Sequence, residues 1–276
     1  MDNRPTAAQT GPPKSPMAAP PGDINLYEQP LNERMRTLLR LEHLFHRAWH
    51  HLPNPDTWSS RATVDALMDI MALMGRSDLK TELIKELERH SATLEGLERN
   101  PRVDAERLHH TLDEIHQTRE VLYSAATAPG QPLRENELLA AVRQRDSIPA
   151  GSCAFDLPGY NFWLRHPPER RLHDLKAWLS CFDALRLAVS MCLKLVRESA
   201  ISTDEMAISG FFQRTLDRGT PFQLLRVGVS ANTAWYPEIS AGKHRFSVRF
   251  LEQNSPAKRP IQTEEDVDFQ LHCCGL

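Results

Sequence analysis

The sequence predicts an α+β protein, in which an N-terminal all-helical domain precedes an antiparallel β domain that also contains two helices. Apolar residues recur at helical spacing between residues 33 and 145, whereas beyond residue 209 they alternate with polar residues as in strands. The pattern changes at Ser147, where a segment with proline and glycine begins. The predicted division is a disordered proline-rich tail at 1–25, a helical domain at 26–146, and a β domain at 147–276 with inserted helices at about 168–200.

The first helix follows an extended segment that ends at Pro30 and Asn32. Asn32 is suited to cap this helix because its side chain can accept a hydrogen bond from the first turn. Glu33 then lies where the helix dipole favours a carboxylate. The buried stripe consists of apolar residues at helical spacing, namely Met35, Leu38, Leu39, Leu41, Leu44, Phe45, Ala48, Trp49 and Leu52.

Four further helices complete the predicted helical domain. They run from about Thr57 to Met74, from Ser77 or Asp78 to a point before Pro101, from Asp104 onward, and over 133–145. Gly75 is placed to end the second helix. The third and fourth helices have a short connection that contains a proline, so we expect them to form an antiparallel hairpin.

The second half of the chain begins with an alternating segment. Cys153, Phe155 and Leu157 alternate before a Pro-Gly pair, which predicts a strand, a tight turn and a second strand over 147–165. The helix that ends near residue 200 is apolar on most sides, so we expect it to be central. Later strands are predicted at LLRVGVS (224–230), RFSVRF (245–250) and VDFQLHC (267–273). Their polar faces should present Arg226 and Arg245 to solvent.

The first helix also carries a row of basic side chains. Arg36, Arg40, His43, Arg47 and His50 follow one another at steps of four, three, four and three residues, so they lie along one side of the helix. One interpretation is a solvated edge whose arginines pair with acidic neighbours and contribute little stability. The other is a docking surface for an acidic or carboxylate-ended partner, because guanidinium groups hold carboxylates through two parallel hydrogen bonds.

Composition argues against several classes of protein. A net charge of -3 gives no general basic field, so we do not expect nucleic-acid binding. The five cysteines lack a CxxC spacing, which favours a reducing cytoplasm over a disulfide framework. The sequence contains no apolar run of membrane-spanning length and no apolar signal-peptide core near its start, so we expect neither.

Residues that would indicate catalysis do not form a known motif. The sequence lacks a glycine-rich phosphate loop, a GxSxG elbow and an HExxH pair. Two groups of histidines are close in sequence: His43, His46 and His50 in the first helix, and His109, His110 and His116 in the fourth. Zinc sites usually add a cysteine or carboxylate from elsewhere, and the vicinal Cys273 and Cys274 lack a neighbouring base. We expect no catalytic residue, cofactor or metal, with a thiol or metal enzyme as an alternative.

Several stretches of the chain are distinctive: YEQPLNERMRTLLRLE in the first helix, TELIKELER in the third, LRENELLAAVRQR with SIPAGSCAFDLP, and YPEISAGKHRFSVRF with the terminal DFQLHCC. Together they resemble the ZapD family of bacterial cell-division proteins, which associate with FtsZ. These stretches occur in order and cover most of the chain from residue 25 onward. The proline-rich leader lies outside the resemblance.

The resemblance implies a cytoplasmic, non-enzymatic homodimer at the midcell division site, with a helical and a β domain. Proteins of this family bind the C-terminal tail of FtsZ and crosslink or bundle its protofilaments, which promotes Z-ring assembly. Carried over to this chain, the tail-binding surface includes Arg40, with Arg36 one turn earlier.

Arg226 and Arg245 extend the expected partner-binding surface on the basis of the strand pattern. Glu137 and Asn161 depart from the family pattern, since they stand where the resemblance leads us to expect a basic residue and a histidine. We expect neither a nucleic-acid nor a membrane partner. A helical adaptor that binds another acidic partner or nucleic acid is the alternative.

Overall fold

A computed structural model of the chain describes residues 24–75, 78–124, 129–217, 219, 221–242 and 244–275. The helices in these ranges are α1 (Glu33–His51), α2 (Thr57–Met74), α3 (Leu79–Glu95), α4 (Ala105–Ser124), α5 (Gln131–Arg134), α6 (Glu137–Arg145), α7 (Pro158–Leu164), α8 (Pro168–Ser180) and α9 (Asp183–Glu198). The strands are β1 (Ile24–Pro30), β2 (Ile201–Ala207), β3 (Phe211–Thr215), β4 (Leu224–Ser230), β5 (Trp235–Ala241), β6 (Arg245–Glu252), β7 (Ile261–Gln262) and β8 (Val267–Cys274). The α+β fold class is confirmed.

Side-chain caps set the starts of several helices, as the sequence indicated. The Oδ1 atom of Asn32 accepts a hydrogen bond from the backbone N–H of Met35 at 2.8 Å, which begins α1. The helix predicted over 133–145 is two helices, because Asn136 interrupts it and caps α6 by accepting a hydrogen bond from the N–H of Leu139 at 3.0 Å. Of the tail predicted at 1–25, residues 1–23 lie outside the described ranges, and the last two begin β1.

One apolar core joins the helices. Helix α9 lies at its centre, as predicted, and contacts α1, α3 and α4. Helices α8 and α9, which we grouped with the strands, bury Leu175, Val189 and Val196 in the same core as Leu38 of α1. Where the chain divides into independently folding domains stays a prediction.

The prediction of a strand, turn and strand over 147–165 is wrong, because this segment forms turns followed by α7. A proline lies in the first turn of α7, where a missing N–H costs little. The buried residues Tyr160, Trp163 and Leu164 follow helical rather than alternating spacing. Phe155, which we placed in a strand, is 86% exposed. The burial of aromatic side chains against the helical core therefore outweighs their preference for strands.

The strands form two antiparallel sheets that pack face to face. Sheet A has the order β1-β4-β8-β2, and sheet B has the order β3-β6-β5 with β7 paired to β6. The strands predicted at 224–230, 245–250 and 267–273 are confirmed, and their apolar faces meet in a shared core. Strand β2, which pairs with β8, was not predicted, and β1, expected only as an extended segment, is a sheet strand that pairs with β4.

Sheet A packs on sheet B with one face and meets the helices with part of the other. One face packs on sheet B, whereas Leu224 and Cys274 of the opposite face belong to the helical core. Strand β1 leads directly into α1, so the edge of sheet A is joined covalently to the first helix. This arrangement decides which of the predicted basic residues reach solvent.

Candidate peptide-binding groove

A groove of about 540 Å³ lies between α1 and α2, next to the end of β1. Its described lining consists of Pro30, Arg36, Leu39, Arg40, His43, Leu44, Asp69, Ala72 and Leu73. Basic side chains come from α1, whereas leucine and alanine side chains form most of the remaining lining. The groove therefore combines positive charge with an apolar surface.

The packing of α1 on α2 positions these residues. The two helices pack closely, and buried residues such as Leu38 and Phe45 of α1 share a core with Leu67 of α2. Because helical side chains three and four positions apart lie on one face, burial of this stripe directs Arg36 and Arg40 to the adjoining rim. The capping residue Asn32 fixes where that periodicity begins.

Ion pairs divide the basic row into occupied and available residues. Arg36 pairs with Glu33 one turn earlier, and the Nη1 atom of Arg47 lies 3.1 Å from Oδ2 of Asp69. Arg40 is exposed and makes no ion pair with any residue that the structure describes. Its guanidinium group is therefore available to an external carboxylate.

The prediction that Arg226 faces solvent is wrong. Its side chain is 19% exposed, and its Nε atom lies 3.0 Å from Oε1 of Glu28 on the neighbouring strand. Glu28 also pairs with Arg197 of α9 at 2.7 Å, and Arg197 pairs with Glu42 of α1 at the same distance. The cause is that α9 lies over sheet A beside Arg226, and its Arg197 joins the sheet to α1 through Glu28 and Glu42.

The electrostatics of this network are consistent with a structural role. Hydrogen bonds to Glu42 and Glu28 raise the pKa of Arg197 above its usual range. Burial alone would raise the pKa of Glu42, but the hydrogen bond and charge of Arg197 hold it below its usual value. Arg197 thereby keeps the Glu42 carboxylate ionised, and it also donates hydrogen bonds to Glu28.

Arg245 lies at the exposed start of β6, as predicted. It stands opposite Thr215 in the register of β3 and β6, and it lies outside the described lining of the groove. Glu137 in the first turn of α6 and Asn161 in α7 lie outside that lining as well. Of the four arginines predicted to bind the partner, the structure thus brings Arg36 and Arg40 together in the groove.

The wall of the groove that α2 contributes was not predicted. Asp69, Ala72 and Leu73 follow one another at steps of three and one along α2, and Ala72 is exposed. A small residue at an exposed position of an otherwise leucine- and methionine-rich helix is the signal that could have indicated an opening. His43, whose role the sequence left open, lines the groove beside Arg40.

The enzyme alternatives would use the histidines of α1 and α4 and the two cysteines at the end of β8. In the ranges that the structure describes, no group of three or more His, Cys, Asp or Glu side chains is placed to hold a metal ion. Burial raises the pKa of the Cys274 thiol to about 12 and that of Cys192 to about 12, so neither is a ready nucleophile. Within the same ranges, helices with the length and apolarity to cross a bilayer are not found.

Comparison with known proteins gives a consistent family. The family model of ZapD, described as a cell division protein, matches residues 39–249. A protein of Methylococcus capsulatus named "Cell division protein ZapD" is 44% identical over 251 residues, which cover 91% of this chain and 98% of that protein. Proteins with the same name from Aromatoleum aromaticum and Coxiella burnetii are 39% and 38% identical, each over 91% of this chain and 97% of their own length. The chain therefore belongs to the ZapD family of cell division proteins.

Proposed function

We propose that this protein is a non-enzymatic division factor that binds the C-terminal tail of FtsZ in the groove between α1 and α2. As a cytoplasmic homodimer at midcell, it would hold two tails at once and so crosslink or bundle FtsZ protofilaments during Z-ring assembly. The observation that carries the proposal is Arg40, an exposed arginine without an ion pair in the described chain, beside a groove of peptide dimensions. Membership of a cell-division family supports the proposal.

Each tail contact is expected to be weak. An exposed ion pair such as that between Arg40 and a tail carboxylate contributes at most about 1 kcal/mol, and salt screens it. A dimer with two sites overcomes this weakness, because once one tail is bound the second site meets the many tails of the same bundle at high effective concentration. Bundling is thereby strong overall while each contact stays reversible.

The direct test is a charge reversal at Arg40. Arg40→Glu removes an attraction and adds a repulsion of similar size, so the affinity for an FtsZ tail peptide should fall about tenfold or more. Arg102→Glu is a matched control, since Arg102 is exposed in the loop between α3 and α4, outside the groove. Fluorescence anisotropy with a labelled tail peptide measures both variants, and equal loss in both would refute the site.

Arg245 and Arg226 need different measurements. If the groove alone binds the tail, Arg245→Glu should leave the affinity for the peptide near that of the wild type. A loss of affinity equal to that of Arg40→Glu would show that the strand surface around Arg245 also belongs to the binding site. Arg226 is a poor probe of binding because it pairs with Glu28. We expect a substitution of Arg226 to lower the free energy of unfolding, whatever its effect on the affinity for the peptide.

Two further observations test crosslinking. Polymerised FtsZ should pellet with this protein, the amount should fall at higher salt, and FtsZ without its tail should not retain it. The chain has a mass of 31.4 kDa, so light scattering at micromolar concentration should give about twice that value for a dimer. A monomer mass, or unchanged pelleting with FtsZ that lacks the tail, would contradict the proposal.

A further inference from the structure

The groove offers more than the charge of Arg40, because its floor is apolar and open. Leu39, Leu44 and Leu73 each pack against the helical core on one side and line the groove on the other. Ala72, which precedes Leu73 on α2 and also lines the groove, is exposed and carries only a methyl group. Apolar surface of this kind is left in contact with water unless a partner covers it.

We infer that the bound segment is amphipathic: it places an apolar side chain on the leucine floor over Ala72 and a neighbouring carboxylate on Arg40. This inference rests on the proposed function, since it specifies which chemistry of the FtsZ tail the groove selects. Ala72 is the specificity-determining residue, because a larger side chain there would occupy the space that the ligand's apolar group needs.

The distribution of charge orients the segment. Among the described lining residues, Asp69 has the only carboxylate, and Arg47 pairs with it at 3.1 Å. Arg40 lies two turns before Arg47 on α1 and is available. The ligand carboxylate therefore binds at Arg40 rather than beside Asp69.

The length of the groove limits the segment to a short one. From Arg36 to Leu44 the helix advances eight residues, or about 12 Å at 1.5 Å per residue. An extended peptide covers that distance with about four residues, at roughly 3.3 Å each. The recognised core is thus about four residues long, in which an acidic and an apolar residue are close neighbours.

Two other occupants fit the groove less well. A nucleic-acid backbone would use Arg36 and Arg40 for phosphates, but it would leave the leucine floor uncovered and place charge near Asp69. A purely acidic peptide would use the rim alone and would be released at moderate salt. The combination of one available arginine with three leucines favours a mixed segment.

The test separates the apolar from the ionic contribution. Ala72→Leu keeps the charge and the helical propensity of α2 but fills the floor, so the affinity for the FtsZ tail peptide should fall about tenfold at every salt concentration. Arg40→Gln should weaken binding chiefly at low salt and flatten its salt dependence. Ala177→Leu is the matched control, because Ala177 is an exposed helical alanine of α8 outside the groove.

Peptide variants complete the test with the wild-type protein. A tail peptide whose apolar residues are changed to serine should bind about tenfold more weakly, as should one whose carboxylates are changed to amides. If the wild type binds the tail and Ala72→Leu binds it equally well, the apolar floor has no role, although the proposed function stands. If the wild type does not bind the tail peptide at all, both the proposed function and this inference are wrong.

Discussion

Glu86 should be a main determinant of stability, because its carboxylate connects α1, α3 and the segment before β4. Its side chain is 1% exposed, with Nη1 of Arg34 at 2.9 Å and Nη2 of Arg89 at 2.6 Å. The amide of Gln223 donates a hydrogen bond to the same carboxylate at 3.3 Å. Glu86→Gln keeps the shape of the side chain and removes its charge, so it tests the ionic contribution alone.

The size of the effect follows from the burial of the partners. Loss of one member of a buried ion pair costs about 3–5 kcal/mol. The side chains of Arg34 and Arg89 are 39% and 37% exposed, so water can solvate part of their charge. We therefore expect Glu86→Gln to lower the free energy of unfolding by about 2–3 kcal/mol. For a chain of this size that corresponds to a decrease in Tm of roughly 3–5 °C.

The same carboxylate predicts a dependence on pH. Burial alone would raise the pKa of Glu86, but hydrogen bonds and charge from His90, Arg89 and Arg34 hold it well below its usual value of 4.5. Because the pKa is lower in the folded than in the unfolded state, the stabilisation is complete above about pH 4.5 and is lost as pH falls below it. The difference between wild type and Glu86→Gln should then narrow by up to about 1.4 kcal/mol per pH unit.

Urea unfolding followed by circular dichroism, from pH 7 down to the lowest pH at which the protein folds, measures both effects. Glu82→Gln is the control, since Glu82 is exposed on the same helix. It should change the free energy of unfolding by less than about 1 kcal/mol. A loss of that small size for Glu86→Gln at pH 7, or a difference that widens toward acid, would refute the reasoning.

Two further predictions concern the helical core. Gly130→Ala should destabilise by about 2 kcal/mol or more, because Gly130 has φ of +75° and an added Cβ would lie 2.7 Å from the ring of Phe182. Gly159→Ala meets no atom within 4 Å and should be neutral or stabilising by up to about 1 kcal/mol, so similar losses in both would contradict the explanation. Tyr160→Phe should keep or raise stability by up to about 1 kcal/mol in thermal unfolding, because the buried hydroxyl has no hydrogen-bond partner among the described residues. A clear loss would indicate a partner for that hydroxyl.

Helix α1 shows how far periodicity alone can lead. The cap at Asn32 and the buried stripe were predictable because the 3.6-residue repeat fixes the relative direction of every side chain on one helix. The same repeat predicted that Arg36 and Arg40 share a rim. It did not predict the opposite wall from α2, since the depth of a groove depends on how two helices pack.

The segment around α7 shows where local pattern was ambiguous. Alternating apolar residues and a Pro-Gly pair favoured strands, yet Tyr160 and Trp163 lie on one buried face of a helix. Short stretches with aromatic residues are compatible with both the helical and the strand period. The chain adopts the structure that buries more apolar surface against the core of the helices.

By itself the sequence determined the fold class, most helix boundaries, the alternation of the later strands, and a basic row on α1 with Arg40 at its exposed side. These are local properties, fixed by caps and by the periods of helix and strand. Only the tertiary structure decided that Arg226 binds Glu28 while Arg40 stands at an open groove. Alternation shows that neighbouring side chains of a strand point to opposite faces, but what covers each face depends on distant segments, here β1 and α9.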